Sequence, residues 1–215
     1  MIFAVIFDVN GVIIDDEPLH EAAFKEALAG YGVELTHQEY NTLLRGRNDF
    51  EGTREIIEHF RLTNAKSDEL LKMKWDAYAR LAPSVPAAVP GAVECIERLS
   101  GSFKLGVASS LPHKAISKVL NHFGVRNQFS AIAGWEDISK GKPFPDIYLF
   151  AAKQLGLKPV ECVVIEDAPS GIASAKTAGM KCIAFSPDVH PDALAKADRI
   201  VHALDELNPD MIQRL

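Results

Sequence analysis

Three short apolar runs in this chain end alike: IFAVIF (2–7) meets Asp8, FKLGVA (103–108) meets Ser109, and ECVVI (161–165) meets Glu166 and Asp167. Each run is short, rich in β-branched residues and free of polar–apolar alternation, so each reads as a strand buried on both faces. Strands of this kind need cover on both sides. Amphipathic helical patterns stand where the covers would come from: HKAISKVLNHF (113–123), PDIYLFAAKQLG (145–156) and SGIASAKTAG (170–179). Strands alternating with helices predict right-handed βαβ units and a parallel sheet, hence an α/β fold. FSAIAG (129–134) and KCIAF (181–185) read as two further strands. In such sheets ligands bind at the carboxyl ends of the strands, where Asp8, Ser109 and Asp167 fall.

From about residue 15 to residue 88 the alternation stops. HEAAFKEALAGYG (20–32), THQEYNTLL (36–44), FEGTREIIEHF (50–60) and SDELLKMKWDAYARLA (67–82) read as four successive helices. Thr36 and Glu39 have capping-box spacing at the start of the second. A stretch this long is no loop between consecutive elements. We therefore expect a core domain from residues 1–14 and 89–215, and a helical domain from 15–88 inserted into it. IIDDEP (13–18) and the Pro-rich APSVPAAVPG (82–91) read as the outgoing and returning linkers.

The chain has 215 residues, 47% hydrophobic and 24% charged, with a formal net charge of −6. That is the profile of a globular protein, and without a basic stripe it gives no argument for nucleic acid or anionic lipid as a partner. The opening MIFAVIFD lacks a basic n-region and is too short for a signal segment or a membrane span. A cytoplasmic monomer is expected. Cys95, Cys162 and Cys182 are widely spaced, odd in number and set in apolar runs, which fits core thiols better than a disulfide framework or a metal site.

Several strand ends carry chemistry. Asp8, followed by the Gly11 turn, suits a nucleophile at the mouth of a sheet; alone it could equally be a helix cap. Ser109, in an S-S-L-P turn, offers a hydroxyl and backbone amides to phosphate oxygens, although such turns are common. In GKPFPD (141–146) two prolines stiffen the loop that presents Lys142, which can then act as a fixed point charge beside an anion. Asp146 can begin the helix that follows. In VVIEDAPSGIASAKTAGM (163–180) two acids end a strand, with glycine and alanine at 171, 173, 175, 178 and 179 letting a helix lie close behind. Carboxylates crowded together are unfavourable unless a cation sits among them, which is how oxygen sites for Mg²⁺ are built.

Taken in order, D-x-x-G, S-S, K-P-x-P-D and E-D-x-x-x-G-x-x-x-A-x-x-A-G resemble the haloacid dehalogenase superfamily of aspartate-nucleophile phosphotransferases. The resemblance spans essentially the whole chain. It implies a Rossmann-like core with an inserted four-helix cap, in the branch that holds phosphoglycolate-type phosphatases, sugar-phosphate phosphatases and β-phosphoglucomutase. By the resemblance, Asp8 attacks phosphorus and forms an aspartyl-phosphate. Mg²⁺ is held by Asp8, the backbone carbonyl of Asn10 and Asp167, with Glu166 supporting its waters. Ser109 and the Ser110 amide bind phosphoryl oxygens, and Lys142 neutralises them and orients Asp8. Phosphoryl transfer of this kind is mostly positioning and charge stabilisation. The implied partner is a small phosphorylated metabolite.

One residue departs from the pattern. The position two after the nucleophile is an acid in phosphatases and mutases of the superfamily and is Asn10 here, nearly isosteric with Asp but without an exchangeable proton near neutral pH. Slow chemistry is expected. An engineered Asp-to-Asn change, made to trap a substrate or phospho-intermediate, is the favoured explanation over a natural variant that is a weak enzyme or a phosphoester-binding pseudoenzyme. The cap is expected to set specificity, with Asp16, His20, Arg47 and Lys74 as its polar candidates; a histidine or lysine on a helix can also be merely a solvated side chain. Relative to β-phosphoglucomutase, Asp16 replaces a Thr and Asp49 replaces an Arg that grips a second phosphate. A carboxylate there repels that phosphate, although Arg47 lies two residues away. A phosphatase of small phosphomonoesters, with sugar phosphates leading, is therefore expected ahead of a sugar phosphomutase. A receiver-type signalling domain also phosphorylates an aspartate, but would carry its acidic pair at the first strand and no helical insert.

Overall fold

Residues 1–45, 49–82, 85–187 and 194–215 are described by the structure, a computed structural model, with 49–51 described as backbone only. Two compact units divide the chain: Met1–Asp15 with Ala87–Leu215, and Asp16–Pro86.

The first unit is built on six strands. β1 (Ala4–Phe7), β4 (Lys104–Ala108), β5 (Phe129–Ala133), β6 (Cys162–Glu166), β7 (Lys181–Phe185) and β8 (Arg199–Val201) form one sheet in the order β5-β4-β1-β6-β7-β8. All five pairings are parallel. The three runs singled out above become the three adjacent central strands, because strands without a polar face are stable only where both faces are covered. Phe7 pairs with Val107 on one side and Ile165 on the other, so Asp8 emerges level with Ala108 and Glu166. The five-residue strands at 129–133 and 181–185 coincide with the expected ones, whereas β8 had no counterpart in the sequence reading. RIV is too short to show a period.

The covering helices of this unit are α5 (Ala92–Ser100), α6 (His113–His122), α7 (Asp146–Leu155), α8 (Pro169–Thr177) and α9 (Pro209–Gln213). One face of α7, with Ile147, Tyr148, Ala151, Ala152 and Leu155, enters a core shared with Ile6, Val164, Ile172 and Cys182. Ala175 and Ala178 of the α8 segment join the same core, so small residues bring that helix in, as their pattern implied. The three cysteines are buried and free of disulfides. Burial pushes the thiols of Cys95 and Cys162 up to about 11, so they behave as core residues rather than nucleophiles. Two-residue strands β2 (Ile14–Asp15) and β3 (Ala87–Ala88) pair antiparallel where the linkers were expected.

The second unit holds α1 (Glu17–Ala29), α2 (His37–Leu43), α3 (Asp49–His59) and α4 (Ser67–Leu81). Phe24, Leu28, Leu35, Tyr40, Leu43, Ile56 and Leu70 form its own core. The Thr36 hydroxyl accepts from the Glu39 amide at 3.2 Å and the Glu39 carboxylate accepts from the Thr36 amide at 2.9 Å, the reciprocal cap predicted from spacing. Among the described residues no helix is long and apolar enough to cross a membrane.

Candidate active site

Asp8 leaves β1 buried, 6% exposed, and its amide donates to the Ile165 carbonyl at 3.0 Å. The 141–145 loop brings in Lys142, whose ammonium donates to Asp8 Oδ1 at 2.6 Å and to Glu166 Oε1 at 2.5 Å. One buried cation thus bridges two carboxylates from adjacent strands. Glu166 is held from every side: Oε1 also accepts from the Tyr148 hydroxyl at 2.9 Å, and Oε2 accepts the amides of Asp167 at 2.9 Å and Ala168 at 2.8 Å. These bonds hold its carboxylate in one position.

The charges follow from this enclosure. Burial pushes the Asp8 carboxyl up to about 7, with the Lys142 ammonium opposing the rise and the Glu166 charge adding to it. Burial also works against the Lys142 ammonium, but Asp8 and Glu166 outweigh it and hold that group well above the usual lysine value. Burial, then the negative charges of Glu166 and Asp8, keep Tyr148 protonated and therefore a donor.

The raised Asp8 carboxyl makes a testable slope. Unfolded, the group titrates near 3.8; folded, near about 7; between those values the folded chain keeps a proton that the unfolded chain has lost. Stability from this group is therefore full below about pH 4 and falls as pH rises towards about 7. Urea midpoints of the chelator-treated protein across that window check this. Asp8→Asn should remove the fall, and an unchanged slope in that variant would assign it elsewhere.

Two glycines shape the cluster. Gly11 has φ +71°, and a Cβ on it would fall 1.9 Å from Asp167 Oδ2, so the Asp167 carboxylate lies in space that any side chain at 11 would fill. A Cβ on Gly171 would fall 1.5 Å from Glu166 Oε1. Since Glu166 is pinned, Gly171→Ala should cost about 1–3 kcal/mol by overpacking. Gly101→Ala, with nothing within 4 Å of the added carbon, is the control expected to stay near the parent in urea unfolding.

Ser109 follows β4 and continues its ladder, its amide donating to Ala133 O at 3.0 Å. Its hydroxyl accepts from the Leu111 amide at 3.2 Å and donates to Asn10 Oδ1 at 3.4 Å. The next loop over ties this turn down: the Trp135 amide donates to Leu111 O at 3.3 Å, the His113 amide to Glu136 Oε1 at 2.8 Å, and the His113 ring meets Asp137 Oδ2 at 2.5 Å. Ser110 is exposed at the head of the turn. Hydrogen bonds thus link Asp8, Lys142 and Glu166 in one group and Asn10 with Ser109 in another, and Asp167 packs against Gly11.

The residues named for a cation are of the chemical type that a hard divalent cation takes. Two carboxylates, Asp8 and Asp167, and the Asn10 backbone carbonyl supply oxygens only, and the one Lys142 charge is shared between two buried carboxylates. Among the described residues no group of three His, Cys, Asp or Glu side chains stands together as a metal site, and Glu166 is committed to protein donors.

The helical unit has its own polar cluster. Asp16, 3% exposed, accepts on Oδ2 from the Tyr78 hydroxyl at 3.0 Å and lies 3.2 Å from His20 Nε2. The His20 ring is 4.7 Å from Tyr78 and 5.7 Å from Trp75. Lys74 is fully buried with its ammonium 3.6 Å from the centre of the Trp75 ring, which rules out a solvated helix face. Arg47 lies outside the described residues, and Asp49 is described only as the backbone start of α3. The sequence reading missed Tyr148, Tyr78 and the His113–Asp137 contact. Tyr148 occupies an apolar-face position of α7, where an aromatic reads as core.

Comparison with known proteins gives these motifs a context. The sequence profile described as "Haloacid dehalogenase-like hydrolase" matches residues 5–185. Fructose-1-phosphate phosphatase YqaB of Escherichia coli is 31% identical over 83% of this chain and 94% of its own. β-Phosphoglucomutase of Bacillus subtilis is 30% identical over 97% of this chain and 93% of its own. Among solved structures, an Asp-to-Asn mutant of CbbY from Rhodobacter sphaeroides, in complex with xylulose-(1,5)bisphosphate, superposes with a TM-score of 0.69 at 30% identity, covering 96% of each chain.

Proposed function

The chain belongs to the haloacid dehalogenase-like hydrolases, and from that premise we propose that it is a Mg²⁺-dependent phosphatase of small phosphomonoesters, sugar phosphates first among them. The observation that carries the reading is the Lys142 ammonium bridging Asp8 and Glu166 at the ends of adjacent strands. An ion pair buried this deeply is costly to build, and a phosphoryl group arriving beside Asp8 gives it a use.

In this reading Asp8 attacks phosphorus, and a bond from phosphorus to its carboxylate oxygen forms as the ester P–O bond breaks. Water then attacks the aspartyl-phosphate, releasing inorganic phosphate and restoring Asp8. Lys142, the Ser109 hydroxyl and the Ser110 amide hold the phosphoryl oxygens. Asp8, Asp167 and the carbonyl of Asn10 would hold Mg²⁺, which when bound offsets the negative charge on those oxygens. Glu166 acts through Lys142 and the amides that it accepts. Asn10 keeps the shape and the Ser109 contact of an acid but has no proton for the leaving oxygen, so turnover is slow. Asp16, His20, Arg47 and Lys74 are assigned the choice among esters.

The similarity to β-phosphoglucomutase over 97% of the chain favours a second reading, a sugar phosphomutase. One experiment separates the two. The Asn10→Asp form is given a panel of phosphoesters with and without Mg²⁺, including β-glucose 1-phosphate with a trace of bisphosphate. Phosphate release that needs Mg²⁺ is the expected result. Isomerised sugar phosphate without net release would establish the mutase instead, and no turnover of any ester would sink both.

A further inference from the structure

We propose that Tyr148 is a positioning residue for this site, acting through Glu166 to keep the Lys142 ammonium on Asp8. The inference rests on the reading of Asp8 and Lys142 as the phosphoryl-transfer centre. Tyr148 is fully buried on α7, yet its hydroxyl is spent on an active-site carboxylate, 2.9 Å from Glu166 Oε1. That is the same oxygen that Lys142 donates to at 2.5 Å. Its ring lies 5.1 Å from the Lys142 ammonium, so one side chain faces both partners of the ion pair.

The geometry makes the hydroxyl matter. Lys142 has two acceptors to divide its protons between, Asp8 Oδ1 and Glu166 Oε1, at nearly equal lengths of 2.6 and 2.5 Å. A Tyr148 bond to Oε1 satisfies part of that oxygen's demand and lowers its pull on the ammonium. Without it, Oε1 keeps only Lys142 among the described residues, because the two backbone amides bind Oε2. The ammonium then shifts towards Glu166, and the hold on Asp8 weakens. Gly171, with no room for a Cβ beside Oε1, marks how closely that oxygen is confined.

Tyr148→Phe removes one oxygen and leaves the packing shape, so the variant should fold. Removing a group that orients an active-site ligand from behind typically costs about 10–100-fold in activity. In the Asn10→Asp form, Tyr148→Phe should lower kcat for the responding ester about tenfold and raise KM by less, because the shift loosens Lys142 on Asp8 while the Ser109 and Ser110 contacts to the phosphoryl group stay in place. In the chain as it stands, the Lys142 ammonium protons, read by NMR of lysine-labelled protein, should exchange faster with water in the Phe variant. A purely structural tyrosine would leave both readouts alone once the thermal midpoint is matched. Tyr148→Phe combined with Glu166→Gln should cost little more than Glu166→Gln alone. Unchanged exchange at Lys142, or losses that simply add in the double variant, would overturn the proposal. The exchange measurement needs no turnover, so it still decides the role of Tyr148 if no ester is cleaved, an outcome that would overturn the functional reading separately.

Discussion

Replacing Asn10 by aspartate should raise phosphate release from the preferred ester by about 10²–10⁴-fold, the usual contribution of general acid–base catalysis. The leaving oxygen departs with negative charge and needs a proton in the transition state. An amide at position 10 cannot supply it, and an acid can. The change should not disturb the fold, because the Asn10 oxygen already accepts from Ser109 at 3.4 Å and a carboxylate oxygen can take the same place. A rise of about 3–5 kcal/mol in transition-state stabilisation therefore comes with a KM that moves little when Mg²⁺ is present to offset the added carboxylate. Steady-state kinetics of the two forms side by side, with phosphate detected directly, measure it. Equal rates in both forms, each well above background, would mean that the proton comes from elsewhere and that Asn10 is no defect.

Lys142→Met should be the most damaging substitution of a single residue in the core unit. The methionine nearly matches the stem in volume, but Asp8 and Glu166 lose the ammonium that both are bonded to. Stripping one partner from a buried ion pair costs about 3–5 kcal/mol, because a charge is left without compensation. The cost is softened where Asp8 can take up a proton, since burial already pushes that group up to about 7. The loss should accordingly be larger at alkaline than at mildly acidic pH. Removing the stranded charge as well, by Lys142→Met with Glu166→Gln, should return part of the stability and none of the activity. In the Asn10→Asp form the single change should also slow turnover by about 10²–10³-fold, the range for a lost group that stabilises transition-state charge. Urea unfolding of the single and double variants checks the stability claim, and an additive double variant would contradict it.

The legible parts of the site share a property: each lies next to a strand end in the sequence itself. Asp8, Ser109 and the Glu166–Asp167 pair follow apolar runs directly, and the sheet order then brings β4, β1 and β6 side by side. Lys142 was legible because prolines bracket its loop. The capping box at Thr36 was legible for the same reason, since it is closed within three residues. Lys74 was not. A lysine on a helix with charged neighbours looks solvated, and its burial beside Trp75 depends on how α4 packs in its own unit. Asp16 looked like part of an acidic linker, yet it meets Tyr78, 62 residues on. Tyr148 was hidden by its helix: its position belongs to an apolar face, and only the acceptor at the end of its ring makes it polar in effect.

The sequence by itself determined five of the six strands of the sheet, three of the helices that cover it and the chemical types at the strand ends, because those depend on short-range periodicity, caps and turns. It also determined that Asn10 has no proton to give, a property of the amide alone. Only the tertiary structure decided which carboxylates share the Lys142 ammonium, that Glu166 has its hydrogen bonds filled by the protein, and that Gly11 and Gly171 must stay bare. Those outcomes rest on distances of a few ångströms between residues as far as 134 positions apart, and no local pattern encodes such a distance. Hydrogen bonds and burial are short-range in space, so the fold must place the partners before either can act.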